Sequence, residues 1–351
     1  MGVKRIVAFA IAFGVVAAAL LLNGRKTESP EKKIHVYTWS NYFPDAVLED
    51  FKKKTGIRVE LSYFSSSEEL YSKLKAGATG YDVIQPSDYM VRQMVRSEML
   101  TPLDHTQLRH LNHLEDFYKN PTYDLGLKFS VPYILGTTGI AVNTDVVNLT
   151  SDDVSWGLLF NSPVPRQTSL LEDMREVFAG VLAWKGRSIN SRNVTELTDA
   201  KKIIDQVKTK ILTFTTETRP LLLRGEVAIA HAYSVDALQA MAENPKIKYF
   251  IPREGGTIWT DNFAIPKSAK HIDAAHTFID YFLEPQNALR MAREYHLTLP
   301  NKTVKLELLT PEERSNPNRY PPPEILKRLH FLDDLGESLN LMNNLWTELK
   351  S

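Results

Sequence analysis

The stretch Ile34-His35-Val36-Tyr37-Thr38-Trp39-Ser40-Asn41-Tyr42-Phe43-Pro44 decides how the rest of the chain is read. Ile34 to Tyr37 alternates apolar and polar residues, the period of a half-buried strand. An aromatic turn follows. Pro44 then opens a helix with Val47, Leu48 and Phe51 on one face, and Gly56 ends it. The unit repeats. Ile57, Val59 and Leu61 alternate again, and Ser65 with Glu68 forms a capping-box pair opening a helix that carries Leu70 and Leu74 on one face. Asp82-Val83-Ile84 reads as a short buried strand, and Tyr89 to Met99 as a helix. The pattern resumes after Asn143, with helices over Met174–Trp184 and Ile272–Leu283, the second stopped by Pro285. Strands alternating with helices point to the α/β class, built on a parallel or mixed sheet. Ligands of open α/β sheets bind beyond the carboxyl ends of the strands. That rule selects three turns: Thr38–Phe43, Pro86–Tyr89 after Ile84, and Tyr233–Asp236 after a strand over Val227–Ala232.

The chain has 351 residues, room for two lobes of ordinary domain size, and 43% hydrophobic residues, enough to fill a core in each. Basic and acidic residues balance at 42 each. Lys4, Arg5, Arg25 and Lys26 face only Glu28 at the N-terminus, so that end carries +3 and the remainder −3. A mildly acidic body argues against nucleic acid as a partner and tolerates a cationic ligand. The absence of cysteine excludes disulfide frameworks, cysteine zinc sites, iron–sulfur clusters and cysteine nucleophiles. Lys4 and Arg5 precede an apolar run from Ile6 to Leu22, the layout of an export signal. Ala17-Ala18-Ala19 offers small residues for cleavage, but the run is also near the minimum for spanning a bilayer. Residues 1–30 therefore read as a signal peptide or an uncut inner-membrane anchor, plus a polar linker containing Pro30.

At the three selected turns the chain resembles the spermidine/putrescine-binding proteins of polyamine ABC transporters. The matching segments are Tyr37-Thr38-Trp39-Ser40-Asn41-Tyr42, Tyr81-Asp82-Val83-Ile84-Gln85-Pro86-Ser87-Asp88-Tyr89, and Val131-Pro132-Tyr133-Ile134-Leu135-Gly136. Further on come Asp173-Met174-Arg175-Glu176-Val177-Phe178, Tyr233-Ser234-Val235-Asp236, and Glu254-Gly255-Gly256-Thr257-Ile258-Trp259-Thr260-Asp261. The order and spacing of these six segments, more than any one of them, carry the likeness over roughly residues 33–305. The resemblance implies a two-lobed periplasmic-binding-protein fold (type II), with the ligand cleft between lobes joined by crossover strands. By analogy lobe 1 holds residues 31–136 and 260–305, and lobe 2 holds 137–259 and 306–351. It also implies a monomeric periplasmic protein, possessing no cofactor, that delivers a polyamine to an ABC permease.

A polyamine is an alkyl chain bearing two or more ammonium groups. Its site needs carboxylates for the charges, because a dry ammonium without a partner is strongly unfavourable. It also needs aromatic faces along the methylenes, each aromatic–cation contact contributing about 0.5–2 kcal/mol. Carried over from the resemblance, Trp39, Tyr42, Tyr89, Tyr233 and Trp259 wall the cleft. Asp173, Glu176, Asp236 and Asp261 meet the ammonium groups, and Ser40, Ser87 and Thr216 supply hydroxyls at the rim. Each has a plainer reading. Asp173 with Glu176 is also a capping box, Asp236 an acid favouring a helix dipole, Asp261 a turn residue, and the tryptophans core. Two positions depart from the resemblance: Leu297 and Leu332 stand where it leads one to expect a tyrosine and a glutamine.

Two other classes compete. For an enzyme, no Gly-x-Gly-x-x-Gly, phosphate loop or Gly-x-Ser-x-Gly elbow is present, although paired carboxylates could serve a glycosidase if one acid were raised. His105, His110 and His113 lie close together, with His110 and His113 on one helix face, but no metal is assigned to them. A different solute, whether another cation, an amino acid, a sugar or ferric ion, is the remaining alternative. An amino acid would call for an arginine or a helix N-terminus for its carboxylate.

Overall fold

A computed structural model describes residues 32–40, 42–149 and 154–351. The export or anchor segment and Asn41 lie outside the described residues. Among the described residues, no helix is long and apolar enough to cross a membrane.

The chain opens with β1 (Lys32–Thr38), α1 (Asp45–Thr55), β2 (Ile57–Tyr63), α2 (Ser67–Lys75), β3 (Val83–Ile84) and α3 (Asp88–Arg96). The first unit forms as its pattern dictates. Val47 and Phe51 are buried under α1, and Gly56 closes the helix at φ 71°, a conformation costly for any residue with a Cβ. The cap of α2 corrects the sequence reading by one residue. Ser66, not Ser65, accepts the Glu69 N–H, and the Glu69 carboxylate returns to the Ser65 N–H. Serines at 65, 66 and 67 make that register ambiguous from sequence, and burial of Leu70 and Leu74 selects it. The third helix likewise starts one residue earlier than expected and ends at Arg96 rather than Met99.

The second half runs through β4 (Ser130–Asn143), β5 (Thr168–Leu170), α4 (Met174–Trp184), α5 (Val194–Val207), β6 (Thr213–Phe214), α6 (Thr218–Leu223), β7 (Ile229–Tyr233), α7 (Ser234–Glu243) and β8 (Ile247–Phe250). It returns through β9 (Gly256–Ala264), α8 (Ile272–Leu283) and α9 (Pro285–Glu294), and closes with β10 (Leu329–His330) and α10 (Ser338–Lys350). The strand read over 227–232 is observed over 229–233. Pro285 ends α8 as expected and also opens α9 at its first turn, where a missing N–H costs nothing.

Two parallel groups result. β1 pairs in parallel with β2 and β3, and β5 in parallel with β6 and β7. The long strands β4 and β9 join them. They run antiparallel to each other from Val131 opposite Phe263 to Thr137 opposite Ile258. Beyond that point β4 pairs with β7 and β8, while the far end of β9 pairs with β3. Residues 310–320 stay on the first group, held by the Arg293–Glu313 pair and by Arg319 donating to the Ala292 carbonyl. β10 then pairs with the start of β9, and α10 packs on α4 and α5.

Candidate ligand-binding site

The carboxyl ends of both parallel groups point at one cavity of about 630 Å³, including its mouth. All twelve residues expected from sequence line it. Trp39, Ser40 and Tyr42 follow β1, and Ser87 and Tyr89 follow β3. Asp173 and Glu176 start α4, Thr216 follows β6, Tyr233 and Asp236 straddle the end of β7, and Trp259 and Asp261 lie on β9. Ser40 and Thr216 are half-buried, as rim residues should be, whereas the aromatic and acidic members other than Tyr233 are buried.

The walls are aromatic. Tyr233 meets Trp39 and Trp259 edge to face, with centroids 6.2 and 5.7 Å away. Trp259 lies directly across Gly136, its strand partner, and its indole N–H donates to Thr138 Oγ1 at 3.1 Å. A Cβ on residue 136 would fall 2.2 Å from the indole ring, so glycine is what lets the ring lie flat there.

The acids are held by hydroxyls and amides. Tyr42 donates to one oxygen of Asp261 at 2.6 Å and Ser87 to the other at 2.8 Å. Asp173 caps α4, accepting from the Arg175 and Glu176 N–H groups, and accepts from the Tyr233 hydroxyl at 2.9 Å. Only half of the capping box forms. Glu176 turns away from the cap and accepts from Thr257 Oγ1 at 2.7 Å, so its side chain belongs to the cavity. Asp173 thus both caps α4 and lines the cavity, while Glu176 only lines the cavity.

Burial dominates the electrostatics, since a dry site disfavours the ionised carboxylate. It pushes Asp261 up to about 7, against the opposing hydrogen bonds from Tyr42 and Ser87. Burial, with Asp173 beside it, pushes Glu176 up to about 8. Asp173 is raised by burial, opposed by Tyr233 and the cap amides.

Four contributors escaped the sequence reading. Asp88 lines the cavity but accepts from the backbone N–H groups of Tyr89 and Thr260, clipping the end of β3 to β9. Burial raises it to about 8. Its place at the start of a helix gave only a capping signal. Glu68, read from sequence as part of a cap, instead accepts from the Tyr89 hydroxyl at 3.1 Å. Val235 sits beside Asp236 in the wall. Leu332, noted only as a departure, reaches the wall because β10 pairs with β9 at Leu329 opposite Gly256. Leu297, the other departure, is fully buried in the core and does not line the cavity.

His110 and His113 flank one short 3-10 helix and stack on one side of it with ring centroids 6.0 Å apart, as expected, while His105 lies on a separate turn. Each ring has a protein partner: His105 the Leu127 carbonyl, His110 Asp280 and His113 Thr303. Among the described residues, no group of three His, Cys, Asp or Glu could hold a metal ion.

Comparison with known proteins agrees with this architecture. The family model for bacterial extracellular solute-binding proteins matches residues 46–319. "Spermidine/putrescine-binding periplasmic protein 1" of Haemophilus influenzae is 32% identical over 331 residues, covering 93% of this chain and 91% of that protein. The "Putrescine/cadaverine-binding protein" of Pseudomonas aeruginosa is 29% identical, covering 96% and 98%. A solved Listeria monocytogenes structure, described as a spermidine/putrescine ABC transporter, superposes with a TM-score of 0.84 at 31% identity, covering 91% of this chain and 99% of that one. With a family match over most of its length and a two-lobed sheet whose strand ends converge on one cavity, the chain belongs to the bacterial extracellular solute-binding protein family.

Proposed function

We propose that this protein captures a polyamine in the periplasm and delivers it to the permease of an ABC transporter, without chemical change to the ligand. One observation carries the reading: aromatic and acidic side chains from both parallel groups line the cavity, and among the described residues no lysine, arginine or histidine lines it. Five of the lining residues are acids, Asp88, Asp173, Glu176, Asp236 and Asp261. A carboxylate-bearing amino acid would meet repulsion there, and a neutral sugar would leave the acids unpaired in a dry site. A chain with an ammonium at each end satisfies both the acids and the rings. In this reading Asp173 with Glu176 and Asp261 with Asp236 receive the ammonium groups. Trp39, Tyr42, Tyr89, Tyr233 and Trp259 cover the methylenes, and Ser40, Ser87 and Thr216 serve as hydroxyl partners.

The lobes expected from sequence are residues 31–136 with 260–305, and 137–259 with 306–351. The change of β4 partner at Thr137–Thr138 supports the first boundary, whereas the hold of α9 on residues 310–320 moves the last boundary beyond residue 320. Ligand touching both lobes favours their approach, because it binds the closed state better than the open one. The protein acts as a monomer. Calorimetric titration of the purified protein with putrescine and then spermidine tests the reading. Saturable one-to-one binding at micromolar or tighter affinity is expected, and the ratio of the two affinities sets the preference. Silence with both would overturn it.

A further inference from the structure

Two bridges cross between the parallel groups without touching the cavity. Gln239 stands on α7, in the second group. Its side-chain amide donates to the Tyr295 carbonyl at 3.0 Å, immediately after α9 in the first group. The amide is braced from behind. Arg219 Nη1 donates to Gln239 Oε1 at 3.0 Å, and Arg219 is itself paired with Glu243. Gln239 is 6% exposed and Tyr295 is half-buried at the edge of a surface cleft, so their bond is partly shielded from water. At a second place Arg96, at the end of α3, pairs with Asp334. Residues 331–334 are fastened to the second group by Asn190 donating to the Phe331 carbonyl, Arg175 to that of Asp333 and Arg192 to that of Asp334. None of Gln239, Tyr295, Arg96 and Asp334 lines the ligand cavity.

A ligand-independent contact that exists only when the lobes approach raises the population of the closed state. The apparent dissociation constant falls in proportion to that population. An exposed ion pair contributes little, whereas a braced, part-buried amide bond contributes more. We propose that Gln239 is a positioning residue, a latch that draws the lobes together through the Tyr295 carbonyl and so sets affinity and residence time without touching ligand. The proposal rests on the polyamine reading for its binding test, and has a second test that needs no ligand.

Gln239→Ala removes the latch. Gln239→Glu keeps the size and the acceptor for Arg219 but loses the donor, which guards against a simple packing defect. Each is expected to raise the putrescine dissociation constant about three- to ten-fold, the range of one lost part-buried hydrogen bond, through a faster off-rate at an unchanged on-rate. Arg96→Ala is expected to change it by less than about three-fold. Because the chain has no cysteine, spin labels at Lys53→Cys on α1 and Lys202→Cys on α5 report the inter-lobe distance without background. In the ligand-free protein, Gln239→Ala is expected to shift that distribution to longer distances than wild type, and saturating putrescine to restore it. Identical ligand-free distributions in wild type and both variants would overturn the latch, even if affinity or melting temperature fell. Failure of the wild-type protein to bind putrescine or spermidine would instead overturn the polyamine reading and leave the distance test of the latch intact.

Discussion

Adding a single methyl group at Gly136 should disable the cavity from outside it. The Cβ of Gly136→Ala would lie 2.2 Å from Trp259 Cζ2 and 2.3 Å from Cη2, where ordinary contact begins near 3.4 Å. The ring must therefore move by about 1.2 Å or more, and both strands resist because Gly136 and Trp259 are register partners in β4 and β9. Moving it breaks the 3.1 Å bond to Thr138, worth about 1 kcal/mol, and removes an aromatic face from a bound ammonium, worth about 0.5–2 kcal/mol. The sum of about 1.5–3 kcal/mol corresponds to a loss of about 10- to 150-fold in affinity. Overpacking adds about 1–3 kcal/mol of destabilisation, so a thermal melt should accompany the binding assay to show that the variant is folded. Calorimetry with putrescine reads the affinity. Trp259→Phe in the Gly136→Ala background should recover part of it by clearing the clash. A folded Gly136→Ala variant binding within two-fold of wild type would refute the argument, since the Trp259 face would then not belong to the ligand site.

Asp261→Asn keeps the shape but removes a buried charge held by Tyr42 and Ser87, and should weaken putrescine binding by about 100-fold or more; a change below five-fold would remove Asp261 from the site. Affinity should rise as pH climbs from about 6 to about 8, because Asp261 and Glu176 must lose protons held near 7 and 8 before they can pair with an ammonium. Calorimetry in buffers of different ionisation enthalpy should register that proton release. The ligand-free protein should respond in the opposite sense. Acids whose folded values lie above their ordinary range bind more protons than the unfolded chain between about 4 and 8, so its melting temperature should fall as pH rises through that window. His231 is fully buried against Trp156, among the described residues neither ring nitrogen has a hydrogen-bond partner, and burial pulls it down to about 3. The unfolded chain takes up that proton below about 6.5 while the folded one refuses it. His231→Phe should therefore gain stability over wild type by an amount that grows as pH falls below 6.5, and urea titrations showing a pH-independent difference would contradict this.

Much of this architecture was legible before the structure. Alternation in Ile34–Tyr37, the Pro44 start and Gly56 stop of α1, and the bounds of α4 and α8 follow from local periodicity and end signals, which depend only on near neighbours in the chain. The rule that ligands sit at strand ends located three turns, the family resemblance supplied the remaining positions, and all twelve residues meet in one cavity. Local rules failed where several residues could do the same job. Ser65, Ser66 and Ser67 were equivalent caps until Leu70 and Leu74 found the core. Tertiary structure alone decided the rest. It brought Leu332 to the cavity wall through a two-residue pairing with β9, and buried Leu297 away from it. It also turned the Glu176 carboxylate from its own helix cap toward Thr257, 81 residues on. Periodicity specifies which face of an element is buried, but not which distant element will cover it. The raised acids likewise have no sequence signal, because what raises them is the exclusion of water, which exists only once both lobes are folded and packed.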